Sequence, residues 1–196
     1  VDGYVKGDAK LAEKNRDNAL AAGDAINPLD AEILMVKLRL LRSVYPRNNA
    51  LTSQLLDNVE RSYTMQPHIL VHAATNYATQ GDYAKALSYA ARVELITRRK
   101  ADTNWPRLIS YIGMGEWEKP RDIIPNLKAA ALVRERIMLL AIAAKNGDRE
   151  NALFARDWLE QNGIETKQMI LNKIDKLPYH RSFKQSLIDG VDTAFK

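Results

Sequence analysis

The chain has 196 residues, of which 46% are hydrophobic and 27% charged, and a formal net charge of +5. These values are ordinary for a globular protein of one domain. The absence of cysteine excludes disulfides, thiolate catalysis and cysteine-ligated zinc or iron–sulfur centres. No apolar run reaches the roughly 18 residues that a membrane-spanning helix needs. Glycine and proline are sparse and alternating β-branched stretches are missing, so we expect an all-helical chain.

Residues 7–66 are predicted to form irregular helical repeats. Gly7-Asp8 opens a helical stretch that closes near Asn27-Pro28. The following segment supplies two more helices, broken at Tyr45-Pro46 and stopped at Pro67, because proline ends or kinks a helix. We expect a leading half-repeat and one hairpin here.

The stretch NYATQGDYAKALSYAARVELI, residues 76–96, is typical of a helical hairpin. Gly81 ends one helical pattern, and Asp82 is a residue type that caps the start of a helix. The small or apolar residues that follow recur at helical spacing, beginning with Ala86. Two helices of this kind pack back on one another.

The same turn returns at Gly115-Glu116 and at Gly147-Asp148, which lie 34 and 32 residues after the preceding turn glycine. A helix-turn-helix unit of this length buries only one face and needs stacked neighbours to cover the other. Pro120 replaces the small alanine in the middle unit and predicts an irregular second helix there. Ala152 restores the alanine in the third unit.

Two segments follow Asn162-Gly163 and are separated by Pro178: IETKQMILNKIDKL and HRSFKQSLIDGVDTAFK. They are helical in pattern, polar on one face and without the turn signature. A polar outer face is what the terminal cap of a repeat array needs.

Residues 67–162 resemble tetratricopeptide repeats (TPR). The resemblance lies in Tyr77 four residues before the turn, in Gly81-Asp82-Tyr83 at the turn, and in Ala86 five residues after the glycine. It implies an all-α, TPR-like solenoid of antiparallel helix hairpins. The expected organisation is one domain over 1–196, with irregular repeats at 7–66, TPR-like repeats at 67–162 and C-terminal capping helices at 163–196.

The sequence offers little to a metal, cofactor or catalytic site. His68 and His72 share a helix face at metal-ligand spacing, but no third ligand is near, and His180 is far along the chain. No phosphate-binding glycine loop, dinucleotide fingerprint or nucleophile elbow occurs. We therefore expect no metal, no cofactor and no catalysis by these residues. A helical carbohydrate-active fold would escape such a motif search, so an enzyme stays an open class.

The run TRRKADTNWPRL places Arg98, Arg99, Lys100 and Arg107 around Trp105, a combination that suits phosphate contact and base stacking. Cations at a helix C-terminus also stabilise the negative end of the helix dipole. Because the net charge is modest and this structural role is sufficient, no nucleic-acid partner is expected.

The TPR resemblance implies that the first helix of each hairpin lines a concave face that holds a peptide or protein partner. The apolar positions Ile137, Met138 and Ala141 fall on this face. The lysine and asparagine clamp that some TPR domains use for a C-terminal carboxylate is not reproduced. The predicted partner-binding residues are His68, His72, Thr75, Trp105, Arg134 and Lys145.

The function expected from this resemblance is a protein-interaction module that binds without chemistry. A helical-hairpin domain ending in unpatterned helices is also similar to the periplasmic C-terminal portions of O-antigen-ligase-type oligosaccharyltransferases. That similarity implies the alternative function, a soluble accessory domain of a bacterial membrane enzyme that transfers glycans. A start at Val1 is expected of a processed protein or of a piece of a longer one. Periplasm and cytoplasm both remain open.

Overall fold

The computed structural model describes residues 9–26, 30–43 and 49–196. All regular secondary structure in these ranges is helical, which confirms the all-α class. The turn predicted at Gly7-Asp8 and the breaks predicted at Asn27-Pro28 and Tyr45-Pro46 lie outside the described residues. The helices are α1 Ala9–Ile26, α2 Ala31–Ser43, α3 Asn49–Ser62, α4 Pro67–Gln80, α5 Tyr83–Thr97, α6 Asn104–Met114, α7 Ile124–Ala129, α8 Val133–Lys145, α9 Arg149–Gln161, α10 Lys167–Asp175 and α11 Arg181–Ala194, with 3₁₀ segments at Lys100–Thr103 and Lys119–Ile123.

The turn at Gly81 shows how the sequence closes a hairpin. Gly81 adopts a left-handed backbone with φ 94°, a conformation that glycine enters without steric cost. Its N–H donates to the Ala78 carbonyl and the next N–H to the Tyr77 carbonyl, so two terminal carbonyls of α4 are satisfied. The Asp82 carboxylate then accepts a hydrogen bond from the Lys85 N–H, 3.2 Å away, and caps α5.

Gly115 and Gly147 close their helices with the same pair of backbone hydrogen bonds as Gly81. Both have positive φ, and Asp148 caps α9 as Asp82 caps α5. The predicted turn positions are therefore confirmed at all three glycines. After Gly115, however, the chain forms a 3₁₀ segment and the short α7 in place of one full helix.

Pro120 is responsible for that irregular unit. Its backbone angles, φ −82° and ψ 16°, depart from helical values inside the 3₁₀ segment Lys119–Ile123, which confirms the predicted irregularity. Arg107, which is buried, holds the segment in place through an ion pair to Asp122 at 2.7 Å. Burial alone would lower the pKa of Arg107, but hydrogen bonds to Asp122 and Tyr111 raise it, and the net direction is upward.

The N-terminal helices are joined to the first hairpin by polar contacts as well as by the hydrophobic core. The Asn76 amide donates to the Leu38 carbonyl of α2 at 3.3 Å. The Lys85 ammonium lies 2.8 Å from the Glu60 carboxylate and so links α5 to α3. This hydrogen bond raises the pKa of Lys85 and lowers that of Glu60.

The C-terminal helix α11 packs against α6 and α8, while α10 makes few contacts with the rest of the fold. At the start of α11 the His180 N–H donates to the Thr79 carbonyl at 3.0 Å. The Tyr83 hydroxyl is hydrogen-bonded to the Ser182 hydroxyl at 2.7 Å. The segment predicted as a terminal cap therefore reaches back to the turn between α4 and α5.

The alanine five residues after the turn glycine is expected to be buried where the paired helices touch. Ala86 of α5 is fully buried in the core and α5 packs against α4, whereas Ala152 is only half-buried. Ala86→Leu should overpack this contact and lower the free energy of unfolding by roughly 1 to 3 kcal/mol. Ala84→Leu, at an exposed position of the same helix, is the matched control. Urea unfolding of both variants measures the difference. Equal stability of the two would contradict the assignment of Ala86 to the interface.

No helix in the described parts of the chain combines the length and the apolar character needed to cross a bilayer.

Candidate partner-binding surface

The structure distributes the six predicted partner-binding residues over three helices. His68, His72 and Thr75 lie on α4, Trp105 on α6, and Arg134 and Lys145 on α8. Three of them are the second residue of their helix and the other three are not, so the predicted set divides into two groups.

His68, Trp105 and Arg134 each occupy the second position of their helix. His68 and Arg134 are exposed, and Trp105 is half-buried. Arg134 of α8 contacts Trp105 of α6, so the N-terminal ends of these two helices are adjacent, and α4 packs against α6. We call these three residues the N-terminal row.

The Trp105–Arg134 contact is the best-defined feature of the N-terminal row. The Arg134 guanidinium carbon lies 4.9 Å from the Trp105 ring centroid, within the range of a cation–π interaction. Arg134 also lies 3.8 Å from the carboxylate of Glu135, a long ion pair between partly exposed groups that contributes little energy. The indole thus presents aromatic area beside a cation that remains accessible to solvent.

His72, Thr75 and Lys145 do not belong to the row. Thr75 is 3% exposed, and its hydroxyl donates to the Val71 carbonyl at 2.8 Å. This is a packing position, and Thr75 offers almost no surface to a partner. His72 is half-buried, and Lys145 lies at the opposite end of α8 with its ammonium 5.9 Å from the Trp117 ring centroid.

The apolar groove expected along α8 is filled by the protein itself. Ile137, Met138 and Ala141 are fully buried. Gly190 of α11 lies so close to α8 that a Cβ atom added to it would be 2.6 Å from the Ala141 Cβ. The C-terminal helix therefore covers Ala141, whereas the residues of the N-terminal row stay at least partly accessible.

Sequence reasoning missed Arg136, which lies two residues after Arg134 and is 4% exposed. Its guanidinium donates to the Leu127, Lys128 and Ala130 carbonyls at 3.0, 2.8 and 2.6 Å, at the C-terminal end of α7. The rings of Phe154 and Trp158 lie 4.9 and 5.0 Å from its guanidinium carbon. Burial lowers the pKa of Arg136, and the Glu135 charge opposes this. Pro120 and Pro125 could have indicated this role. Two prolines so close together predict a short helix, and the carbonyls at its C-terminal end need a hydrogen-bond donor.

The two histidines at metal-ligand spacing, His68 and His72, lie on α4 as predicted. Within residues 9–26, 30–43 and 49–196, no group of three or more His, Cys, Asp or Glu side chains is arranged to hold a metal ion.

Comparisons with models of protein families, with curated proteins and with solved structures give no match to this chain. Fold and surface together define an all-α helical protein whose N-terminal row combines an indole with a guanidinium.

Proposed function

We propose that the chain is a protein-interaction module of the TPR-like helical-repeat class. In this proposal a peptide or protein partner binds across the N-terminal ends of α4, α6 and α8. The observation that carries the proposal is the solvent-accessible Trp105–Arg134 contact in the N-terminal row.

The recurrence of one turn supports the repeat class. Gly81, Gly115 and Gly147 close their helices with the same two backbone hydrogen bonds, at spacings of 34 and 32 residues. Repeat proteins that stack helix pairs bind partners through the extended surface which successive first helices create. In this proposal α4, α6 and α8 are the first helices; α4 packs against α6, and α11 packs against both α6 and α8.

The side chains of the row support recognition of a polypeptide. Trp and Arg are enriched among the residues that dominate interface energetics. Trp105 is anchored by its half-buried ring, so little conformational entropy is lost when a partner contacts it. His68 and Arg134 supply further hydrogen-bond donors in the N-terminal row.

Trp105→Ala should weaken partner binding by about 2 kcal/mol, roughly thirtyfold in Kd. The measurement compares recovery of partners from a lysate of the source organism by immobilised wild-type protein and by the variant, after circular dichroism and thermal melting have shown an intact fold. Leu153→Ala, at a 60% exposed position of α9, is the control and should leave recovery unchanged. Undiminished recovery of every partner by folded Trp105→Ala protein would disprove the proposed surface.

The alternative role, an accessory domain of a bacterial membrane enzyme that transfers glycans, stays a prediction. No contact among the described residues favours it over the interaction module.

A further inference from the structure

A cavity of about 230 Å³ lies directly beside Trp105, where the N-terminal ends of α6 and α8 meet α7. Its apolar lining residues include Leu108 and Trp105. Its polar lining residues carry carboxyl or amide groups, and no lysine or arginine among the described residues lines it. These polar residues are Asp102, Asn104, Asn126 and Glu135.

The negative charges of this cavity lie deeper than the positive charges near it. The Asp102 and Glu135 side chains are 30% and 15% exposed. The arginines paired with them, Arg99 and Arg134, are 72% and 45% exposed. Solvent screens exposed charges more strongly than partly buried ones. An incoming cation would therefore experience the carboxylates more strongly than the two arginines.

Both carboxylates also retain hydrogen-bonding capacity. Asp102 lies 3.5 Å from Arg99 and Glu135 lies 3.8 Å from Arg134. Charge-assisted N–H···O bonds are about 2.7 to 2.9 Å long, so both pairs are loose. A carboxylate with loose partners can accept two parallel N–H donors from a planar guanidinium.

The Trp105 ring beside the cavity also favours a guanidinium over other charged groups. A guanidinium is planar, weakly hydrated and able to stack on an indole, whereas an ammonium is a compact, strongly hydrated point charge. The protein already shows this preference at the edge of the cavity, where the Arg134 guanidinium lies over Trp105. An anionic group, by contrast, would meet two carboxylates.

We infer that this cavity is a recognition pocket for an arginine side chain of the partner polypeptide. In the bound state Asp102 and Glu135 accept hydrogen bonds from the guanidinium, and the Trp105 ring packs beside it. The inference rests on the proposed function and specifies one chemical feature of the partner.

The test uses the full chain and two short, otherwise identical peptides, Gly-Ser-Arg-Ser-Gly and the same peptide with citrulline, the uncharged isostere, in place of arginine. Binding is followed by the NMR shift of the Trp105 indole N–H, assigned with Trp105→Phe. The arginine peptide should shift this resonance saturably, and the citrulline peptide should bind about tenfold more weakly, since one charge-assisted contact of about 1.4 kcal/mol is lost. Equal binding of the two peptides, or shifts confined to other indoles, would overturn the inference.

Two matched substitutions test whether the carboxylate that binds the arginine peptide also contributes to partner binding. Glu135→Gln should weaken the arginine peptide at least about threefold, while Glu150→Gln, at an 89% exposed carboxylate of α9, should not change its affinity. Equal effects of the two substitutions would also overturn the inference. If Trp105→Ala abolishes partner recovery and Glu135→Gln leaves both recovery and peptide binding unchanged, the interaction surface stands and the arginine pocket is wrong. If Trp105→Ala has no effect on recovery, the proposed function itself fails.

Discussion

Gly190→Ala is expected to lower the free energy of unfolding by roughly 2 kcal/mol, although alanine is the better helix former. In an exposed helix interior this substitution stabilises by about 1 kcal/mol. Here the added Cβ would lie 2.6 Å from the Ala141 Cβ and 3.1 Å from its Cα. Because part of the obstacle is backbone, α11 has to move away from α8, and the overpacking cost exceeds the gain in propensity.

A double-mutant cycle tests whether the close approach of Gly190 to Ala141 causes this loss of stability. Ala141→Gly removes the Cβ that the new methyl group meets, so the double variant should recover part of the stability that Gly190→Ala loses, with a coupling energy of about 1 kcal/mol. Asp189→Ala, at the adjacent exposed position of α11, controls for changes in helix propensity. Additive effects of the two substitutions in urea unfolding would show that α11 does not depend on this close approach.

The features that sequence could predict are those encoded by neighbouring residues. Each turn is specified within a few positions by a glycine that enters the left-handed region and an acidic residue after it, as in Gly81-Asp82 and Gly147-Asp148. The irregular unit follows from Pro120, whose ring restricts its own backbone. Local chemistry of this kind does not depend on what the helix later packs against.

The placement of α11 could not be predicted in the same way. Its partners are distant in sequence: Ser182 pairs with Tyr83, 99 residues earlier, and Gly190 meets Ala141. A repeat pattern also predicts that first helices lie against one another, and it contains no sign that another helix packs against two of them. The groove positions on α8 therefore looked available although α11 covers Ala141.

The sequence near the candidate site also did not indicate which charged residue is buried. The sequence VRERIM contains two arginines and a glutamate, and periodicity alone does not tell which of them is buried. Arg134 is 45% exposed at its side chain, while Arg136 is buried, because only Arg136 faces the carbonyl end of α7. Glu135, in the first turn of α8, complements the positive end of the helix dipole and lines the cavity as well.

Arg136 connects three elements of the fold. Its guanidinium donates to carbonyls at the end of α7, its backbone belongs to α8, and its charge lies between two aromatic rings of α9. No carboxylate among the described residues lies within 4 Å of this guanidinium, so the helix end and the rings are what compensate the buried charge. The burial cost is therefore offset only while α7 keeps its position.

Arg136→Met should lower the free energy of unfolding by roughly 3 kcal/mol. Methionine keeps most of the buried stem but leaves three carbonyls without their donor, and each charge-assisted bond contributes about 1.5 to 3 kcal/mol before the relieved desolvation of the guanidinium is subtracted. Arg134→Met, two residues earlier on the same helix and exposed, is the matched control and should cost no more than about 1 kcal/mol, the contribution of its exposed cation–π contact with Trp105. Urea unfolding of the three proteins measures the difference, and hydrogen exchange at the amides of α7 should accelerate in Arg136→Met alone. Similar stability of the two variants would mean that the carbonyl end of α7 is satisfied without Arg136, and that the irregular unit created by Pro120 is held in place by Arg107 and Asp122 instead.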